Sequence, residues 1–515
     1  MFQYRNSIKR LVALILVMIA VTVMQAQTGD LPRSTPAQQG LSTLAVSQMV
    51  DSLLALPETE IHHVMVVRHG HVVAEVHPAP FRAEDAHTLY SASKTFVALA
   101  VGLAIADNRL CLDDRVAAIM HDQLPDTVSA ALAQMTIDNL LTMSSGIKPD
   151  WTMRNNVDNW LRTWLAYPVS EPGQHLFYDS MSTYMLSAIV QRVMGKTVLQ
   201  LLDERLFTPM HITEVDWELS PEGINTGGWG LRIQAESLAK VGQLMLQRGQ
   251  WQGRQLVPAQ WIDLMTQRHI NYDNVEGQAP TDGNQGYGYQ LWRCKWPTAY
   301  RMDGAFGQFV VIDPASDIVV VILGRSSRGH DELACIWRQL MPGVDHNVKV
   351  DRKADRRLAQ ACSQAALPLP QGKQRSSQQS AAGFKLQPNA DGIDQITFSQ
   401  DGKQLIMHIN YSNGLNENIA MGHKQWAYSH INGEPPYSIG ARARFAGLRH
   451  NFVTAAAYAW TSATTLTVQV HYVNWISATT LVFDTQAGTL QLTHNYDPTH
   501  PRTYSRLAPV VTLTP

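Results

Sequence analysis

The sequence predicts a mixed α/β or α+β domain followed by a small all-β domain. Apolar β-runs stand near both ends of the first 345 residues, with a helix-rich stretch between them. After a polar linker the pattern turns to short alternating strands.

The first 26 residues read as a secretory signal. Arg5, Lys9 and Arg10 open it, Leu11 to Val23 is apolar apart from Thr22, and Ala26 precedes the cut, although Met24 is large for its place. The apolar run is shorter than the ~20 residues a spanning helix needs, so a cleaved leader is expected rather than an anchor. No Cys follows the run, which argues against lipid attachment. The mature protein is therefore expected to be exported, periplasmic or secreted, with no integral membrane segment.

Residues 62–77 read as a β-hairpin, with Val64, Val66, Val72, Ala74 and Val76 alternating around a His69-Gly70 turn. Ser91 to Ala106 reads as a helix with almost no polar face, hence a buried one. Helical patterns with Gly and Pro punctuation run from about Ala131 to Arg268. Strands return near Tyr287, and the runs Phe309–Ile312 and Ile318–Ile322 flank the turn Asp313-Pro314-Ala315-Ser316. These elements place a first domain over 33–345. Residues 346–383 form a linker that opens with a charged helical stretch at Asp351–Arg357 and is rich in Pro, Gln, Ser and Gly from Leu367 to Gly383. From 384 to 515 alternating strands predict a β-sandwich or barrel, and the echo of Ser462–Leu466 in Ser477–Leu481 fits neighbouring strands of a meander.

Composition narrows the function. The chain has 515 residues, enough for two or three domains, with 45% hydrophobic and 16% charged residues and a net charge of −2. No basic stripe exists to neutralise phosphates, so nucleic acid is not an expected partner. No polybasic segment favours a membrane surface. Cys111, Cys294, Cys335 and Cys362 are scattered without a CxxC pair and are read as buried or free thiols.

The sharpest chemical feature is Tyr90-Ser91-Ala92-Ser93-Lys94 at the mouth of the buried helix. Three-residue spacing puts Ser91 and Lys94 on one helical face. Helix-start N–H groups lack internal partners and favour a developing anion. A serine hydroxyl needs a base to take its proton. Lys94 can serve only when neutral, and burial lowers the ordinary lysine value of about 10.4. Alone, S-x-x-K is a frequent chance match and a helix-start Ser is commonly just a cap. Ser93 is a rival nucleophile, without the same relation to Lys94. A second feature is Pro172-Gly173 leading to Phe177-Tyr178-Asp179-Ser180, where a buried phenol can relay protons or simply fill the core. A third is Asp303-Gly304-Ala305-Phe306-Gly307-Gln308, whose glycines allow close backbone approach or merely shape a turn.

Taken together and in this order, these motifs resemble a known family. The hairpin Val66-Val67-Arg68-His69-Gly70 is followed by Leu89-Tyr90-Ser91-Ala92-Ser93-Lys94-Thr95-Phe96 and by Leu140-Leu141-Thr142-Met143-Ser144-Ser145-Gly146. Then come Phe177-Tyr178, Gly227-Gly228-Trp229-Gly230-Leu231, Gly286–Trp292 and Gly304–Gln308. The stretch from about 35 to 342 is similar to the serine β-lactamase and penicillin-binding-protein-like hydrolases of class C type, within them the nylon-oligomer hydrolase and esterase branch. The resemblance implies an antiparallel sheet with flanking helices. It implies Ser91 as the acylated nucleophile, Lys94 as its base, Tyr178 as the proton relay, and the backbone N–H groups of Ser91 and Ala305 as oxyanion donors. Asp303, Gly304, Ser180 and Trp229 would line the substrate site, and no metal or organic cofactor is required.

Two departures shape the expected substrate. The family's Tyr-x-Asn is Tyr178-Asp179-Ser180 here, and its Lys-Thr-Gly is Met302-Asp303-Gly304. The lysine that would bind a substrate carboxylate is missing, and Asp303 would repel a carboxylate or favour an amine or neutral group. A small-molecule ester, amide or peptide is the expected substrate. The alternatives are a penicillin-binding or sensor-type protein that acylates slowly, a D-amino-acid peptidase of the same fold, or a decayed hydrolase whose C-terminal domain binds a glycan or a partner through Trp426, Tyr428, Tyr437, Trp460 and Trp475. Those aromatics also suit a β core. His62, His63, His69 and His71 lack the supporting ligands of a zinc site, and alternation places them on both faces of the hairpin. Gly227-Gly228-Trp229-Gly230 is not followed by Lys-Ser/Thr, so it does not read as a phosphate loop.

Overall fold

Alternating valines around His69-Gly70 form the predicted hairpin, strands Thr59–Arg68 and His71–Val76. Its two turn residues have φ of 49° and 72°, the left-handed pair that matches strand twist in a two-residue turn. This computed structural model describes residues 29–272, 277–344, 348–376, 383–402 and 404–509, so the expected leader over 1–26 lies outside the described residues.

The hairpin opens a six-stranded antiparallel sheet. Its order is His71–Val76, Thr59–Arg68, Ile318–Ser326, Gln308–Asp313, Tyr300–Gly304 and Trp292–Arg293. N-terminal and C-terminal strands of the first domain thus lie side by side, as the strand runs at its two ends predict. Both faces are covered. Val64, Val66, Phe309, Val311, Val320 and Ile322 pack toward the helix Thr43–Leu54, while Met65, Val67, Val310, Ile312, Val319 and Val321 face the helical region. Two buried faces explain why Ile318–Ile322 reads as an uninterrupted apolar run.

The helix Ser93–Ala106 is buried along Ser93–Ala104 and packs against the helix Ser180–Met194. Each fully buried Leu, Val or Phe on it is worth roughly 1.5–3 kcal/mol of apolar transfer. Ser91 itself sits one step earlier, in a 3₁₀ turn spanning Tyr90–Ala92. That turn is reached from a short strand, Ala86–Thr88, paired with Leu231–Gln234.

The C-terminal domain is a barrel. Ten strands from Phe384–Leu386 to Arg502–Pro509 form one sheet. It closes where Met421 and Gly422 pair with Ala456 and Ala457. Thr465–Tyr472 and Ala478–Asp484 are antiparallel neighbours, the meander that the Ser-Ala-Thr-Thr-Leu echo suggests. Phe384, Phe398 and Phe483 fill one end of the barrel with ring centroids 5.1 and 5.3 Å apart.

The stretch between the domains carries the helix Arg352–Gln364 and is bonded on both sides. Leu367 N–H donates to Ala79 O, and Lys373 and Trp460 exchange backbone hydrogen bonds. The domains also share a small core of Phe81, Val453, Ala455 and Val473. Of the C-terminal aromatics, Tyr437, Trp460 and Trp475 are core residues, whereas Tyr428 is 42% exposed and donates to Pro80 O.

The histidine pair corrects the alternation argument. His62 and His63 are both fully buried, and a β-bulge between Ile61 and His63 breaks the strand period, so that both rings pack against Phe81. His62 Nδ1 lies 2.9 Å from His87 Nε2, and His63 Nδ1 lies 2.7 Å from His77 Nδ1. Cys111, Cys294, Cys335 and Cys362 are all free thiols.

Candidate active site

Lys94 has almost no exposure and its Nζ meets three oxygens. It donates to Ser91 Oγ at 2.8 Å, to Ser180 Oγ at 2.8 Å and to the Gly228 carbonyl at 2.7 Å. Burial is the main influence on this amine and lowers its pKa to about 7, against an opposing pull from Asp179. A neutral amine is thus accessible near neutral pH, next to a hydroxyl that is itself only partly buried.

Tyr178 completes the cluster. Its phenol is hydrogen-bonded to Ser91, and burial raises its pKa above the ordinary phenol value despite that bond. Lys94 Nζ lies 4.8 Å from the centroid of its ring. Tyr178, Tyr272, Tyr287 and Trp292 form an aromatic wall, with centroids 4.8–6.1 Å apart.

Local structure explains these placements. Asp179 caps the helix Ser180–Met194 by accepting from Met181 N and Ser182 N, and it takes the Trp164 indole N–H at 2.9 Å. That cap fixes Ser180 at the first helical position, where it faces Lys94. Ser180 thus stands where the resemblance places an asparagine. Gly228 is a close approach: a Cβ there would come within 2.5 Å of Ser180 O. Gly304 is another, since a Cβ would lie 2.2 Å from Leu89 O and 3.2 Å from Ala92 N. The strand Tyr300–Gly304 therefore seats directly on the Ser91 turn, and Ala305 follows it in an exposed position.

Strain gathers here. Tyr90, Met143, Gln290 and Phe306 all have positive φ, between 47° and 66°. Non-glycine residues in that region cost of order 1–3 kcal/mol and are held by their surroundings.

Asp303 does not stand free. It pairs with Arg301 at 2.8 Å and with His330 at 3.5 Å. Burial works against its ionisation, but the Arg301 and His330 charges outweigh it and hold the pKa below the ordinary carboxylate value. Trp229 is 2% exposed, its ring 5.8 Å from Trp160 and beneath the Arg154 guanidinium, so it sits in the core behind the cluster. Ser93 is buried, and its Oγ accepts from Leu231 N–H.

Sequence reasoning misses two parts of this neighbourhood. One is the Gly228 carbonyl, a backbone atom without a side-chain signal beyond the glycine pair itself. The other is a strap from the barrel. Tyr437 has its ring 5.9 Å from Tyr90, Ser438 Oγ lies 2.8 Å from the Tyr90 phenol, and Arg442 N–H donates to Arg154 O. Tyr437 also donates to Glu218 Oε2 at 3.2 Å, and Phe445 N–H donates to Glu218 Oε1 at 3.1 Å.

Comparison with known proteins agrees with the fold. The chain is 25% identical over 335 residues to the 6-aminohexanoate-dimer hydrolase of Paenarthrobacter ureafaciens, covering 60% of this chain and 84% of the relative. A candidate beta-lactamase structure from Bacteroides dorei DSM 17855 shares the fold over 58% of this chain and 99% of its own, with a TM-score of 0.50 and 17% identity. An octameric penicillin-binding protein homologue from Pyrococcus abyssi aligns with 89% of this chain and 98% of its own, with a TM-score of 0.45 and 16% identity. The family profile for Beta-lactamase matches residues 49–340, more than half of the sequence. By that match the chain belongs to the beta-lactamase family and is a hydrolase of the serine-hydrolase type.

Proposed function

We propose that this protein is an exported hydrolase that cleaves an ester or small amide through an acyl-enzyme on Ser91. The observation that carries the reading is Lys94, buried, with its pKa lowered to about 7 and its Nζ 2.8 Å from Ser91 Oγ.

In the proposed cycle neutral Lys94 accepts the Ser91 proton as Oγ bonds to the substrate carbonyl carbon. The carbonyl oxygen becomes an oxyanion and rests on the N–H groups of Ser91 and Ala305. The close seat of Gly304 on the Ser91 turn supports that pairing. Collapse of the intermediate breaks the bond to the leaving alcohol or amine, which takes a proton from Tyr178, itself recharged from the Lys94 ammonium. Water then attacks the acyl-enzyme by the reverse relay and frees the acid. Ser180 and Gly228 O orient the Lys94 amine. The Tyr178, Tyr272, Tyr287 and Trp292 wall receives the apolar part of the substrate. Asp303, compensated by Arg301 and His330, leaves no unpaired cation at the position where family members bind a carboxylate.

The Paenarthrobacter relative acts, by its name, on a 6-aminohexanoate dimer, so a small amide of that kind belongs in the screen. The test is to present p-nitrophenyl esters, linear amides, β-lactams and D-amino-acid peptides to wild type and Ser91→Ala in parallel. Turnover of an ester or amide that disappears in folded Ser91→Ala supports the reading. Fluorophosphonate labelling of Ser91 without steady-state turnover of any of them overturns it in favour of a slow acylating sensor.

A further inference from the structure

The barrel is not filled throughout. Toward the end away from Phe384, Phe398 and Phe483 its lumen holds a cavity of about 410 Å³. Strand alternation sends Met407, Ile409, Leu481 and Leu492 inward to form its apolar walls. The segment carrying Glu434, Tyr437 and Arg444 supplies part of its lining.

Charge at the rim is uneven. Asp391 is taken by Arg502 and by the Tyr504 phenol, and His494 lies 4.0 Å from it. Arg444 is exposed and has no hydrogen-bond or ion-pair partner among the described residues. Glu434 lines the same cavity and feels the Arg444 charge, while burial raises its pKa above the ordinary carboxyl value. Arg444 is held on a strained turn, with Ala443 and Phe445 at φ of 58° and 62°. The Tyr411 phenol also lines the cavity with no hydrogen-bond partner among the described residues. A lumen with apolar side chains on its strands and a polar mouth, where the Arg444 guanidinium has no hydrogen-bond or ion-pair partner among the described residues, suits an amphiphile with one anionic end. At about 30 Å³ per water-sized group, the space holds on the order of a dozen non-hydrogen atoms.

We propose that the barrel lumen is a binding site, separate from the Ser91 cleft, for a medium-chain carboxylate, with the tail between Leu481 and Ile409 and the head on Arg444. The experiment is calorimetric titration of the full-length protein, its Ser91 first blocked by a fluorophosphonate, with octanoate and octylamine. Octanoate is expected to bind at least tenfold more tightly than octylamine. Arg444→Gln, at an exposed position, is expected to weaken octanoate at least tenfold and to erase the preference. Leu481→Trp, checked for folding by circular dichroism, is expected to abolish binding by filling the lumen. The proposal is overturned if octanoate does not bind the blocked protein, if octylamine binds equally well, or if binding is unchanged in Arg444→Gln and in folded Leu481→Trp.

Discussion

Lys94 Nζ lies 2.8 Å from Ser91 Oγ with burial holding its pKa near about 7. Replacement of either residue separates the proposed chemistry from mere packing. Ser91→Ala and Lys94→Ala are each expected to lower kcat/KM for a p-nitrophenyl ester by at least about a thousandfold. Ser93→Ala is expected to keep activity within a few-fold, because the Ser93 hydroxyl is engaged with Leu231 N–H. A Ser93→Ala loss equal to that of Ser91→Ala would exchange the two serines' roles.

The same amine predicts a pH profile. Lys94 is protonated below about pH 7 and neutral above it. If the neutral form is the base, kcat/KM rises with pH and levels off with an apparent midpoint near 7. A profile flat from pH 5 to 9 would remove Lys94 from that role.

Gly228 offers a steric test. An added Cβ would lie 2.5 Å from Ser180 O and 2.7 Å from Ser180 Cβ. Gly228→Ala must therefore push the Gly228 carbonyl and Ser180 apart, which are two of the three Lys94 partners. Activity is expected to fall by at least about a hundredfold, as for other small misplacements of catalytic groups. Soluble yield and far-ultraviolet circular dichroism report whether the fold survives.

Asp303→Asn would leave the fully buried Arg301 guanidinium without its carboxylate partner. Breaking a buried pair in this way costs about 3–5 kcal/mol, with the lower end expected because Asp303 retains 17% exposure. Chemical denaturation measures it. The same variant is expected to improve the affinity of a carboxylate-bearing substrate, since the negative charge at position 303 that repels it would be gone.

The domain junction carries two titrations of opposite direction. Burial raises Glu218 to about 7, above the ordinary carboxyl value of about 4.3. The folded state thus holds a proton that the unfolded state has lost, and this contribution disappears as pH rises through about 7. Burial lowers His471 to about 4. There the unfolded state takes up a proton first, so stability declines as pH falls from about 6.5 toward about 4. Both windows fall between about pH 4 and 7, so relative to wild type the thermal midpoints scanned there should rise more steeply with pH in Glu218→Gln and fall more steeply with pH in His471→Phe. Unchanged slopes in both variants would contradict the assignment.

Much of the site is legible in the sequence because its chemistry is local or motif-bound. Ser91 and Lys94 are one helical turn apart, and the two-residue turn at His69-Gly70 has its own backbone signature. The barrel strands announce themselves by alternation, although sandwich and barrel remain undistinguished until Met421 meets Ala456. What escapes is long-range or irregular. Tyr437 and Glu218 meet across more than two hundred residues with no shared period. His62 and His63 defy alternation through a single bulge. Trp229 reads as a pocket residue because a tryptophan beside glycines carries no sign of which way it turns, and it turns inward onto Trp160.

The strap from Tyr437 to Phe445 has one more implication. Glu218 takes two of its hydrogen bonds from Tyr437 and Phe445 on the other domain, and the Asp216–Arg232 pair is completed by Arg449 and Asn451. The halves are therefore not interchangeable cassettes. A graft that joined this hydrolase to a foreign barrel, or discarded the barrel, would strand a buried acid and an aromatic ring at the shoulder of Ser91, so the two parts must diverge in step.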